Sequence, residues 1–125
     1  MSGIKPSETE LEILQILWSR GDSTVKQVND AMNETKKVGY TTTLKIMQIM
    51  FQKGMLKRDE SSRSHVYQAV INASSVEDSM IKKLVNGVFG GSTSEMILSA
   101  LGSQKASKEE LTKIKEFIKN IEDNE

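Results

Sequence analysis

The chain of 125 residues contains no cysteine and one histidine, His65. The absence of cysteine excludes a disulfide framework, a thiolate metal site and a thiol nucleophile. One histidine cannot supply the imidazole set of a typical zinc site, so we expect neither a metal nor another cofactor. The glycine patterns of phosphate-binding and dinucleotide-binding loops are also missing, and no convergent catalytic residues are evident. We therefore expect no enzyme activity.

Long apolar runs are absent as well. No segment approaches the roughly 18 apolar residues of a membrane-spanning helix, and residues 1–7 lack the apolar core of a signal peptide. These absences predict a cytoplasmic protein that is not inserted in a membrane.

The charged side chains are balanced in number but unevenly distributed. The 17 basic and 17 acidic residues give a net charge of zero. Residues 36–65 carry seven basic and two acidic side chains, whereas residues 73–125 carry seven and nine. A basic middle segment is typical of a surface that faces phosphates. An ordinary solvated surface explains the charge counts alone equally well.

Five capping-box patterns predict a mainly helical chain. In this pattern a Ser or Thr side chain, and an acid or amide three residues later, satisfy backbone N–H groups at a helix start. An apolar-periodic run follows each pattern, as expected for amphipathic helices. The five pairs are Ser7–Glu10, Thr24–Gln27, Ser75–Asp78, Ser92–Glu95 and Ser107–Glu110.

Residues 1–72 have the element order of a winged helix-turn-helix domain. Apolar spacing predicts three helices, and β-forming residues around a polar loop predict a hairpin, the wing. This order of three helices and a β-hairpin defines a winged helix. The predicted elements are a helix after Ser7, helices over 25–33 and 41–53, strands over 55–59 and 65–70, and a wing over 60–65.

Residues 73–125 predict three more helices, whose apolar stripes are too extensive to be buried among themselves. A second copy of the chain would cover the same stripes twice, so we expect a helical dimerisation domain. The alternative is a monomer in which these helices fold back on the first 72 residues. The side chains expected at the dimer interface are Met80, Leu84, Val88, Ile97, Leu101, Leu111, Ile114 and Ile118.

The third helix is the expected recognition helix, because the second helix of a helix-turn-helix pair lies in the major groove. Thr43, Ile46, Met47 and Met50 would face inward, which leaves a polar outward face suited to base edges and phosphates. A cationic wing would reach the neighbouring phosphates or minor groove. The expected DNA-contacting residues are Thr41, Thr42, Leu44, Lys45 and Gln48 on the helix, and Arg63, Ser64 and His65 on the wing.

Several segments, taken in order, resemble the penicillinase repressor family of the BlaI/MecI type, with the CopY repressors as relatives. They are ELEILQILW at residues 10–18, Gly21, TVKQV at 24–28, YTTTL at 40–44 leading to Lys53-Gly54, and HVY at 65–67.

The resemblance implies a homodimeric repressor bound to a palindromic operator through Thr41, Thr42, Leu44 and Lys45. It also implies release by proteolysis within the dimerisation region, prompted by a membrane-bound metalloprotease sensor. Family members that are cut carry an Asn-Phe bond where this chain has Ser99-Ala100. The paired C-terminal cysteines of the copper-responsive relatives are missing, which excludes metal sensing by that route.

Two other functions are compatible with the sequence. A winged helix that binds a protein partner would need an apolar outward face on its third helix, and Leu44 with Ile49 offers a small one. A ligand-responsive regulator would bind DNA and hold a small molecule between its two parts.

Overall fold

The computed structural model describes residues 5–125 and contains a winged helix followed by three helices. The mainly helical fold class is confirmed. The elements are α1 (Glu8–Arg20), β1 (Ser23–Thr24), α2 (Val25–Met32), α3 (Tyr40–Gln52), β2 (Leu56–Asp59), β3 (Val66–Ala69), α4 (Ala73–Gly87), α5 (Thr93–Gln104) and α6 (Lys108–Asp123).

Local side-chain caps explain where most of the helices begin. Both bonds of the capping box form at Ser7, Thr24 and Ser107, as predicted. At Ser92 the hydroxyl accepts a hydrogen bond from the backbone N–H of Glu95. Each bond satisfies an N–H group that the helix itself leaves without a partner.

The predicted cap at Ser75 is wrong, because α4 begins earlier, at Ala73. The backbone N–H of Ser75 donates to Asn72 Oδ1 at 2.8 Å, so Asn72 occupies the capping position. Asn is as effective as Ser in this role. Asn72 therefore caps this helix in place of Ser75.

The sheet has three antiparallel strands in the order β1–β3–β2. The predicted hairpin of β2 and β3 is present, with Arg58 opposite Tyr67. The prediction missed β1, which pairs Ser23 with Tyr67 on the other side of β3. A strand of two residues is too short to show the alternating pattern by which strands are recognised.

One hydrophobic core joins α1, α2 and α3 to the sheet and the start of α4. Thr43, Met47 and Met50 of α3 are fully buried, as expected, whereas Ile46 is half-buried. Trp18 packs at the edge of this core and donates from Nε1 to the carbonyl of Ile71 at 2.9 Å. The core fixes which face of α3 remains outside.

The chain divides into two compact units, the first ending at Ile81 and the second beginning at Lys82. The expected boundary between residues 72 and 73 coincides with the start of α4, and the division of the structure lies within that helix. The second unit contains the end of α4 and all of α5 and α6. No helix within residues 5–125 is long and apolar enough to cross a membrane.

Candidate nucleic-acid interface

The turn before α3 is held by two asparagine side chains. Asn29 Nδ2 donates to the carbonyl of Val38 at 3.1 Å and to Thr43 Oγ1 at 2.8 Å. Asn33 Nδ2 donates to the same carbonyl at 2.9 Å, and Asn33 Oδ1 accepts from the Val38 N–H at 3.1 Å. These bonds tie the end of α2 to the start of α3 and set the direction in which α3 leaves the turn. Neither asparagine was among the residues predicted from the sequence.

The outward face of α3 carries the predicted contact residues. Thr41, Thr42, Lys45 and Gln48 are exposed, and Leu44 is half-buried. Their side chains present hydroxyl, ammonium, amide and methyl groups, which match the donors, acceptors and thymine methyl groups of a major groove. The face is therefore open and carries the side-chain chemistry that contact with a major groove requires.

A groove of about 430 Å³ lies between α3, the start of α2 and the wing. It brings together five of the eight predicted contact residues, namely Leu44, Gln48, Arg63, Ser64 and His65. Thr41, Thr42 and Lys45 lie on the same helix but do not line the groove. The other lining residues, which were not among the eight predicted contact residues, are Thr24, Val25, Lys26, Tyr40, Arg58 and Tyr67.

The wing loop is shaped by its own polar side chains. Asp59 Oδ1 accepts from the Ser61 N–H at 2.8 Å, and Ser62 Oγ donates to the Ser64 carbonyl at 2.9 Å. The bonds from Ser61 hold the pKa of Asp59 below its usual value. Arg63 stands exposed at this loop.

Arg58 is the most highly connected cation of the groove. Its guanidinium lies 4.0 Å from the centre of the Phe51 ring and donates from Nη1 to the Tyr67 hydroxyl at 3.3 Å. Its Nε donates to the carboxylate of Glu60. The hydrogen bonds to Glu60 and Tyr67 raise the pKa of Arg58, and the bond from Arg58 lowers the pKa of Glu60. The sequence contained one sign that Arg58 belongs to this face. It stands two residues after Leu56 on the predicted strand, and side chains at this spacing lie on the same face.

Most of the predicted dimerisation residues are uncovered apolar side chains. Six are exposed and two, Leu101 and Ile114, are half-buried. The six exposed residues are Met80, Leu84, Val88, Ile97, Leu111 and Ile118. Leu98, Phe117 and Ile121, which were not among the predicted residues, are also exposed. Exposed apolar residues in this number are typical of a surface that another protein covers.

The arrangement of α1–α3 with the β2–β3 hairpin defines a winged helix-turn-helix protein. A MarR family protein from Bacillus stearothermophilus has a similar fold, with a TM-score of 0.51 and 19% sequence identity. The match covers 82% of this chain and 73% of that protein.

Residues 6–120 match the penicillinase repressor family, and the chain belongs to this family. The penicillinase repressor of Staphylococcus aureus is 17% identical over 118 residues, which is 94% of each chain. The transcriptional regulator BlaI of Mycobacterium tuberculosis is 30% identical over 64 residues, or 50% of this chain and 46% of that protein. The resemblance found in the sequence is confirmed, and the chain is a transcription regulator of the repressor type rather than an enzyme.

Proposed function

We propose that the chain represses transcription by binding a palindromic operator as a homodimer. The observation that carries the proposal is the groove between α3 and the wing. Lys26, Arg58 and Arg63 line it, while the polar outward face of α3 stands beside it. Basic side chains fix a protein on the phosphate backbone, and polar side chains on a recognition helix read base edges.

The dimer would be formed by the apolar side chains of residues 73–125. A two-fold dimer covers the same patch on both copies, so one set of exposed residues serves both subunits. It would also place two α3 helices in successive major grooves, about 34 Å apart. Since one half-site binds weakly, loss of the dimer contact would release the operator.

Release in the manner of the family would use a cut within this dimerisation region, made through a membrane-bound metalloprotease sensor system. Ser99 and Ala100, which stand where cut relatives carry Asn-Phe, are both exposed on α5.

The test is a gel-shift titration on the DNA upstream of the chain's own gene at several salt concentrations. If each subunit neutralises about four phosphates, log K falls with log [salt] with a slope of about −7 for the dimer. Lys45→Ala and Arg63→Ala should each weaken binding by about tenfold. Each lost phosphate contact should also make the slope less steep by about one per subunit.

Lys113→Ala is the matched control, because it removes an exposed cation from α6. It should leave the affinity unchanged, and thermal melting should show that all three variants fold. Salt-independent binding, or unchanged affinity in both Lys45→Ala and Arg63→Ala, would contradict the proposed contact surface.

A further inference from the structure

We infer that Arg58 is a further phosphate-binding side chain of the groove, and that Glu60 takes the place of the phosphate while the protein is free of DNA. The inference rests on the proposed DNA binding. It assigns opposite effects to two neighbouring charges: Arg58 promotes binding, and Glu60 restrains it.

The position of Arg58 follows from the strand geometry. Side chains two residues apart on a strand share a face, so Arg58 lies on the same face of β2 as buried Leu56. Tyr67, which lies directly opposite Arg58 on β3, is also buried. Arg58 is less buried than either, because it lies where this face leaves the core and enters the groove beside Gln48 and Arg63.

The guanidinium of Arg58 is already ordered for anion binding. Its stacking on the Phe51 ring and its hydrogen bond to the Tyr67 hydroxyl restrict its rotation. A planar guanidinium stacked on an aromatic ring keeps its remaining N–H groups in a fixed fork. An ordered cation loses little further side-chain entropy when a ligand arrives.

Glu60 supplies the ligand that the guanidinium holds in the free protein. Its carboxylate accepts from Arg58 Nε, and the Glu60 side chain is 53% exposed, against 21% for Arg58. Guanidinium groups bind carboxylates and phosphates with the same geometry, so the two anions compete for one position. Glu60 lies in the polar wing loop, where it can swing away from an approaching phosphate.

The decisive variant is Glu60→Gln in the full-length chain, measured by fluorescence anisotropy on a mixed-sequence duplex of about 24 base pairs, a little over two helical turns. Removal of the competing charge should tighten binding by about threefold per subunit, hence about tenfold for a dimer. The slope of log K against log [salt] should stay about the same, because Arg58 neutralises the same phosphate in the complexes of both proteins.

Two controls separate this inference from a general charge effect. Glu34→Gln removes a similarly exposed, arginine-paired carboxylate from a site that does not line the groove, and it should leave the affinity unchanged. In an Arg58→Ala background, Glu60→Gln should no longer tighten binding, because the cation that it releases is gone.

If Glu60 instead supports the wing, Glu60→Gln will weaken DNA binding, and that result overturns the inference. Equal tightening in the presence and absence of Arg58 overturns it as well. Both results leave the proposed function standing when the wild-type chain binds DNA with a steep salt dependence. A wild-type chain that binds no DNA would contradict both the inference and the proposed function.

Discussion

Single polar side chains hold both ends of the recognition helix. At its start, Asn29 bridges Val38 and Thr43, so the turn is tied to a fully buried residue of α3. At its end, Lys53 Nζ lies 3.0 Å from Oε2 of Glu10, the buried residue of the first capping box. Bonds to buried, charged partners are worth more than exposed ion pairs. The orientation of α3 therefore depends on a few polar contacts as well as on the core.

Glu10 should make the stability of the protein depend on pH. Burial raises the pKa of its carboxyl, but the hydrogen bonds from Ser7 and from Lys53 outweigh burial and hold the pKa below the usual 4.5. A lowered folded-state pKa stabilises the fold above pH 4.5, and this stabilisation is lost as the pH falls through the folded value. Glu10→Gln should lower the free energy of unfolding by about 1–2 kcal/mol at pH 7.

Urea unfolding at pH 7 and in acid checks this prediction. The cost of Glu10→Gln should shrink in acid, where the wild-type carboxyl is itself protonated. Glu8→Gln is the control. Glu8 lies in the same first turn and meets the same helix dipole, but its side chain is exposed, and the ion pair with Lys53 is made by Glu10. An equal loss in both variants, at both pH values, would show that the bonds of Glu10 contribute nothing specific.

The link between α3 and the wing is a Schellman motif. The N–H of Gly54 donates to the Phe51 carbonyl at 3.1 Å, and the N–H of Met55 donates to the Met50 carbonyl at 3.0 Å. Met50 and Met55 are both buried, which adds the apolar contact that accompanies this motif. The motif ends the recognition helix and directs the chain into β2, so it sets the position of the wing.

Gly54 has a φ of +83°, in the left-handed region that side chains with a Cβ disfavour. Gly54→Ala should therefore destabilise the fold by about 1–2 kcal/mol. Gly54→Asn should lose less, since Asn tolerates this conformation better than Ala. The midpoint of urea unfolding measures both variants, and an alanine variant as stable as wild type would refute the strain argument.

The helices were largely predictable because their signals are local. A cap and its partner are three residues apart, and apolar positions repeat within one or two turns. Where two residues compete for a cap, as Asn72 and Ser75 do, the pattern alone chose the wrong one. The strand β1 was missed for a different reason, since its two residues form a strand only because β3 lies beside them.

At the scale of the whole molecule, formation of the proposed dimer would depend on α6. Leu111, Ile114, Ile118 and Ile121 recur every three or four residues along this helix and so share one face. Three of the four are exposed and Ile114 is half-buried. A stripe of this kind is suited to packing against a helix of a second copy.

Ile118→Lys should shift the chain from dimer to monomer and weaken operator binding by at least about 100-fold, because a buried lysine without a partner opposes association. Sedimentation equilibrium and the gel shift measure the two effects. Asn120→Lys adds the same side chain on a different face of α6 and should leave the dimer intact. A fully dimeric Ile118→Lys variant, or a wild-type chain that remains monomeric, would contradict the proposed interface.

The amino-acid sequence alone determined the mainly helical class, the order of elements in the winged helix, the outward face of α3 and the resemblance to the repressor family. Each of these depends on residues close together in the chain. Folding was needed to bring Thr24, Gln48 and Arg63 into one groove and to set Arg58 between Phe51, Tyr67 and Glu60. Contacts between residues far apart in sequence depend on core packing and strand pairing. The patterns used to read a sequence span only a short window, so they do not predict such contacts.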